Sequence, residues 1–184
     1  MNLEEKTISS EVLYKGRIFT LKKKKVILPD GNTADRDIVM HNGGVCVVAI
    51  THDLKVLTVK QYRSPYDEII EEIPAGKRES KDEDPLVCGK RELLEETGAT
   101  AEHYYFLGEL YPTPGYCDEV IYMYAAWGLS FGEMNLDQDE FLTVEKPPFN
   151  TLIDKVLKGE IKDSKTQAAL LKTKLLLYNG EIKL

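Results

Sequence analysis

Arg91-Glu92-Leu93-Leu94-Glu95-Glu96-Thr97-Gly98 is the stretch from which the rest of the chain can be read. Upstream, Asp84-Pro85 supplies an N-cap and a first-turn proline, and Gly98 supplies a C-terminal glycine, so a helix is predicted between them. Leu86, Leu93 and Leu94 are its expected apolar stripe. Gly89 lies in its interior at a cost of about 1 kcal/mol. With roughly 3.6 residues per turn, Glu95 and Glu96 follow Glu92 by three and four positions, which puts all three carboxylates on one face. Like charges at that spacing repel, and the helix C-terminus disfavours each late anion by roughly 0.3–1 kcal/mol. Arg91 can pair with Glu95 and remove part of the strain. A hard divalent cation would remove the rest, because magnesium and manganese accept carboxylate oxygens. A glutamate pair alone is more often a solvated face. Here Pro74-Ala75-Gly76 and Glu83 stand upstream and favour the metal-binding reading.

On either side of this helix the pattern is mostly strand. Val45 to Ile50 follows Gly43-Gly44, and Lys55 to Tyr62 follows a His52-Asp53 turn; both read as central strands buried on two faces. Asp67 to Ile73 is a more alternating strand, stopped by Pro74-Ala75-Gly76. Downstream, strands are expected over Tyr104 to Leu110 and Val120 to Trp127. An acidic loop, Asn135 to Glu140, leads to a short strand, Phe141 to Val144. Helices are expected over Phe149 to Leu157 and Lys165 to Leu177, the latter capped by Ser164. This order implies an α/β fold with helices packed on a mixed sheet.

Residues 1–42 read as a small antiparallel β meander, and 43–184 as the main domain. Within the meander, Gly16 to Ile27 is β-prone, Pro29-Asp30-Gly31-Asn32 is a turn, and Asp35 to His41 returns. Such a hairpin is marginal alone and must lean on the main domain or on a partner subunit.

Composition narrows the function. The 184 residues are 42% hydrophobic and 30% charged, ordinary for a globular chain. A net charge of −7 argues against a nucleic-acid polymer as partner, since counterion release needs a basic surface. The run Lys22-Lys23-Lys24-Lys25 reads as the solvated part of a strand. Cys46, Cys88 and Cys117 have no zinc or redox spacing, so free thiols in a reducing cytoplasm are expected. The acidic, polar amino terminus is not expected to act as a signal peptide, and no apolar run reaches the ~20 residues of a membrane span.

Glu83, Arg91-Glu92-Leu93, Glu95-Glu96 and Gly98 stand at the spacing of the Nudix hydrolase signature, and the chain resembles that family. It departs from the pattern twice: one extra residue lies between Gly76 and Glu83, and Ala99 replaces a larger aliphatic residue. The resemblance implies an α/β/α sandwich and hydrolysis of a nucleoside diphosphate derivative with Mg2+, or with Mn2+ as substitute. It implies that Glu92 and Glu96 bind metal, with Glu95 as a further ligand or supporting carboxylate and the Ala75 carbonyl contributing. Arg91 orients these glutamates. The base, or water-orienting carboxylate, is expected from Asp137-Gln138-Asp139-Glu140, with Glu140 preferred to Asp139.

Similarity to bacterial ADP-ribose pyrophosphatases extends along nearly the whole chain. It includes Val59-Lys60-Gln61-Tyr62-Arg63, Glu72-Ile73-Pro74-Ala75-Gly76, Ile161-Lys162-Asp163-Ser164-Lys165-Thr166, and Pro114 some fifteen residues beyond the motif. A nucleotide sugar is therefore the expected small-molecule substrate: ADP-ribose first, with GDP-mannose as the rival and a non-catalytic sugar-nucleotide sensor as the reading from another class. Arg63 is a candidate for a phosphate or terminal-ribose contact, because its fork matches phosphate oxygens. Gly115 and Glu119 are further substrate-binding candidates, Glu119 through ribose hydroxyls or by aiding metal binding. Tyr14 and Phe19 are expected to pack, with base stacking as the alternative. His41, His52 and His103 lack companions at ligand spacing. The resemblance also implies a homodimer in which the amino-terminal strands meet the other subunit.

Overall fold

The computed structural model describes residues 2–136 and 140–184. In chain order the strands are β1 (Lys6–Lys15), β2 (Phe19–Ile27), β3 (Thr33–His41), β4 (Gly44–Ala49), β5 (Thr58–Arg63), β6 (Glu68–Glu72) and β7 (Ala75–Lys77). Then come helix α1 (Pro85–Thr97), strands β8 (Ala99–Leu110), β9 (Ile121–Phe131) and β10 (Leu142–Glu145), and helices α2 (Phe149–Leu157) and α3 (Ser164–Tyr178).

The central sheet is mixed, in the order β7-β4-β9-β8, with β4 and β9 parallel. Residues of β4 alternate between two cores, as the period of two requires. Val45, Val47 and Ala49 meet Cys88 and Leu93 of α1, whereas Cys46 and Val48, with Ile50 just beyond β4, meet Leu152 of α2 and Leu170 of α3. That makes three layers, and it explains why β4 reads as an unbroken apolar run. The strand after it differs from expectation. Its regular part begins at Thr58 and pairs with β6 and β10 in a separate sheet, while the residues just before it still meet the end of β4, the Leu57 amide donating to the Ala49 carbonyl at 3.0 Å. Only Thr58 and Val59 are buried, so Lys60 to Arg63 can serve a surface.

Helix α1 is bounded as its sequence indicates. Asp84 accepts from the amides of Leu86 and Val87, and Gly98 takes φ 66° while its amide bonds to the Leu94 carbonyl. Its packing differs in two places. Leu94 is exposed, so the buried stripe runs through Cys88, Gly89, Glu92, Leu93 and Glu96. Gly89 is no defect of fit. A Cβ there would stand 3.0 Å from Val45 Cγ2, so glycine lets the helix approach the sheet. On α3 the cap is Asp163, not Ser164: its carboxylate accepts from the Thr166 amide.

The meander has one more strand than the two expected, because β1 completes an antiparallel β1-β2-β3 sheet. Its basic run faces acidic neighbours, with Lys23 bridged to Asp35 at 2.9 Å. Tyr14 and Phe19 pair with each other, ring centroids 5.9 Å apart. The sheet joins the main body through β3, where the Val39 amide donates to the Tyr116 carbonyl and the Asp118 amide to the Val39 carbonyl. No helix among the described residues is long and apolar enough to cross a membrane.

Candidate active site

A cleft of about 700 Å³ opens where α1, β7, β5 and the start of α3 converge. Ala75, Gly76, Arg91, Glu92, Glu95 and Glu96 form one wall, Arg63, Asp163 and Lys165 another, and His41, Glu119 and Glu140 stand at its edges.

The acidic wall follows from the helix register. Glu92 and Glu96 face inward and are 9% and 3% exposed, while Glu95 is half-buried. The expected single face is thus split by depth. Glu92 lies directly over Gly76: a Cβ there would come within 1.9 Å of the Glu92 carboxyl carbon. Glu96 Oε2 accepts from the Ala75 amide at 3.0 Å. Arg91 Nη1 contacts Glu92 at 2.7 Å and Glu95 at 3.0 Å, and Nη2 reaches the Lys77 carbonyl at 3.3 Å. Arg91 Nε is buried with no partner among the described residues.

This crowding changes the protonation equilibria. Burial pushes Glu92 up to about 7; Arg91 opposes the shift, and the charges of Glu95 and Glu140 add to it. Burial pushes Glu96 up to about 8 against the Ala75 amide, with Glu92, Glu140 and Glu72 adding. Two deep carboxylates disfavoured as anions, a donor set made of oxygen, and a glycine cradle that clears room for one of them all fit a divalent cation. Among the described residues no three acidic, histidine or cysteine side chains already converge as a finished metal site. A cation must compete with Arg91 for Glu92.

The second wall is cationic but internally neutralised. Arg63 grips Glu72 with a fork, Nε to Oε1 at 2.6 Å and Nη2 to Oε2 at 2.7 Å. Lys165 Nζ also bonds to Glu72 Oε2, and to Asp163 Oδ1 at 2.9 Å. Burial alone would raise Glu72, yet Arg63 and Lys165 hold it below the ordinary carboxylate range.

The loop carrying the extra residue is stapled by Arg78. Its Nε donates to the Glu83 carbonyl at 2.9 Å, its Nη2 donates to the Lys81 carbonyl, and it lies over the Tyr122 ring at 5.3 Å. The insertion therefore leaves Glu83 within reach of the helix, 3.5 Å from Arg91 Nη2.

Of the candidates read from the sequence, Ala75, Arg91, Glu92, Glu95, Glu96, Arg63, Glu119 and Glu140 all line this cleft. Gly115 does not. It is exposed on the preceding loop with nothing near its Cα face, and Pro112 borders the cleft instead. Asp137 and Asp139 lie outside the described residues. His41 does have a companion, with Glu119 Oε1 lying 3.3 Å from its Nδ1. Sequence reasoning assigns no role to Glu72, Asp163 or Lys165. Glu72 is the one buried residue of a strand whose other end is exposed, so its neighbours give no local signal; once packed at 2% exposed, its charge demands a partner.

Comparison with known proteins adds independent findings. The NUDIX domain family matches residues 40–169, and the nucleoside diphosphate sugar hydrolase N-terminal domain matches 5–39. A methanol dehydrogenase activator of Bacillus methanolicus is 44% identical over 91% of both chains. An ADP-ribose pyrophosphatase of Bacillus subtilis is 40% identical over 92% of both. A solved ADP compounds hydrolase superposes with a TM-score of 0.86 at 20% identity, over 99% of this chain and 100% of the other, which shows a shared fold.

Proposed function

Because the chain belongs to the NUDIX family, we propose that it hydrolyses ADP-ribose, with a divalent cation, to AMP and ribose 5-phosphate. It is a Nudix hydrolase, and its class of reaction is cleavage of the pyrophosphate bond of a nucleotide sugar. The choice of ADP-ribose is supported by the pyrophosphatase relative and by the length of chain that it shares.

One observation carries the reading: two buried glutamates, Glu92 over Gly76 and Glu96 on the Ala75 amide, share with a guanidinium, Arg63, a cleft of diphosphate size. Glu92 and Glu96 would hold Mg2+, or Mn2+ in its place, with Glu95 and the Ala75 carbonyl assisting. Such a cation, when bound, neutralises diphosphate charge and lowers the pKa of an attacking water. Arg91 orients Glu92 and Glu95 through one amino group. Arg63 turns its free edge to a phosphate or to the terminal ribose, and Glu119 meets ribose hydroxyls. Glu140, close enough to both buried glutamates to raise them, orients the water and takes its proton.

The meander, residues 1–42, serves the contact between two copies. Its first strand is exposed along all ten residues, including Ile8, Val12, Leu13 and Tyr14, so a homodimer is expected in light scattering. Free thiols at Cys46, Cys88 and Cys117 support a reducing, cytoplasmic setting.

The test is turnover by purified protein with magnesium on ADP-ribose, with GDP-mannose in parallel. Glu96→Gln should cut turnover by at least about a hundredfold while the fold survives. Equal turnover in the variant rejects the assignment, and a preference for GDP-mannose rejects the substrate. A second reading, an activator of another enzyme, rests on the name of the Bacillus methanolicus relative; failure of the intact chain to hydrolyse any nucleotide sugar would favour it.

A further inference from the structure

The segment Asp163-Ser164-Lys165-Thr166 opens α3, yet the side chains of Asp163, Lys165 and Thr166 also tie it to the cleft wall and to the chain beneath. The Thr166 hydroxyl accepts the Ile73 amide at 3.0 Å, two residues before the amide that holds Glu96. Asp163 divides its carboxylate, with Oδ2 capping the helix and Oδ1 receiving Lys165. Lys165 is 11% exposed and ends on Glu72.

Glu72 Oε2 thus receives two cationic donors, Lys165 Nζ and Arg63 Nη2. The Arg63 fork uses Nε and Nη2 on one edge, and Nη1 makes no hydrogen bond among the described residues. That Nη1 edge belongs to a side chain 38% exposed in the cleft wall. A lone carboxylate can rotate about its last bond and take the guanidinium with it. With Lys165 anchored between Asp163 and Glu72, the rotation is blocked. Freezing a donor before the substrate arrives removes an ordering cost from binding.

We propose that Lys165 is a positioning residue: anchored on Asp163, it locks the Glu72 carboxylate and thereby aims Arg63 at the anionic or ribose end of the nucleotide sugar. The proposal rests on the reading that Arg63 touches substrate, and it adds a residue that itself need not.

The experiment is a cycle of Arg63→Ala, Lys165→Met and the double variant, with KM and kcat for ADP-ribose at saturating magnesium and a thermal melt for each. Arg63→Ala should raise KM. Lys165→Met should raise KM about tenfold with kcat nearly unchanged, and should add less than about twofold in the Arg63→Ala background, since groups acting through one contact are not additive. If Arg63→Ala leaves KM unchanged, the substrate contact itself is wrong. If Arg63→Ala raises KM but Lys165→Met does not, or raises it equally in both backgrounds, the contact stands and the positioning role is overturned. Lys165→Gln keeps one donor to Glu72 and should give an intermediate KM; should Lys165→Met not fold, the same cycle with Lys165→Gln decides between these outcomes.

Discussion

Replacing Gly76 by alanine should separate catalysis from folding. The backbone at this position is not in the left-handed region, so alanine meets no conformational penalty there. What it meets is Glu92. The added methyl would lie 1.9 Å from the carboxyl carbon and 2.1 and 2.2 Å from its oxygens. Moving the carbon out from 1.9 Å to an ordinary contact of 3.4 Å shifts the carboxylate by about 1.5 Å. Because the displaced atoms end a flexible side chain, the fold should accommodate the change with little loss in melting temperature. The chemistry should not, since a ~1 Å misplacement of a reacting geometry costs roughly a hundredfold, or about 2.7 kcal/mol of barrier. The assay is steady-state release of AMP from ADP-ribose with magnesium, beside a thermal melt. Activity within about threefold of wild type would show that Glu92 need not sit over Gly76, and the cation site drawn from it would fail.

Two further outcomes follow from the same geometry. Glu92 and Glu96 are raised from 4.5 to about 7 and about 8, so the folded state prefers them neutral. Their contribution to stability is complete below the ordinary carboxylate value and is lost as pH rises through about 7 and about 8. Stripped of divalent cations, the protein should therefore melt at falling temperature from pH 5 to 9; magnesium should recover more at the alkaline end, and Glu96→Gln should flatten the slope. A melt at pH 8.5 indifferent to magnesium and to that substitution would contradict the burial argument. Separately, Thr166→Val keeps the volume of a fully buried side chain but orphans the Ile73 amide. It should cost about 1–3 kcal/mol in urea unfolding, and an unchanged midpoint would mean that this amide finds another acceptor.

What the sequence determined by itself is the local part. Asp84-Pro85 and Gly98 bound α1 because capping bonds close within four residues, and the spacing of Glu92, Glu95 and Glu96 follows from helical pitch alone. The apolar run of β4 and the turn at Pro29 to Asn32 are legible for the same reason. Side-chain burial and strand partners were not. Leu94 and Glu96 are both candidates for the inner face until the sheet is in place, and only the packed structure turns one out to solvent and the other into the cleft. Strand β5 reads as a strand buried on two faces, yet only its start is buried: beside its hairpin partner β6 it takes β10, about eighty residues on, and a partner so distant leaves no local pattern. Glu72 and Lys165 stand 93 residues apart, and nothing in either neighbourhood announces the other. Tertiary structure joins them because a buried carboxylate in a low-dielectric wall must find its cations wherever the fold brings them.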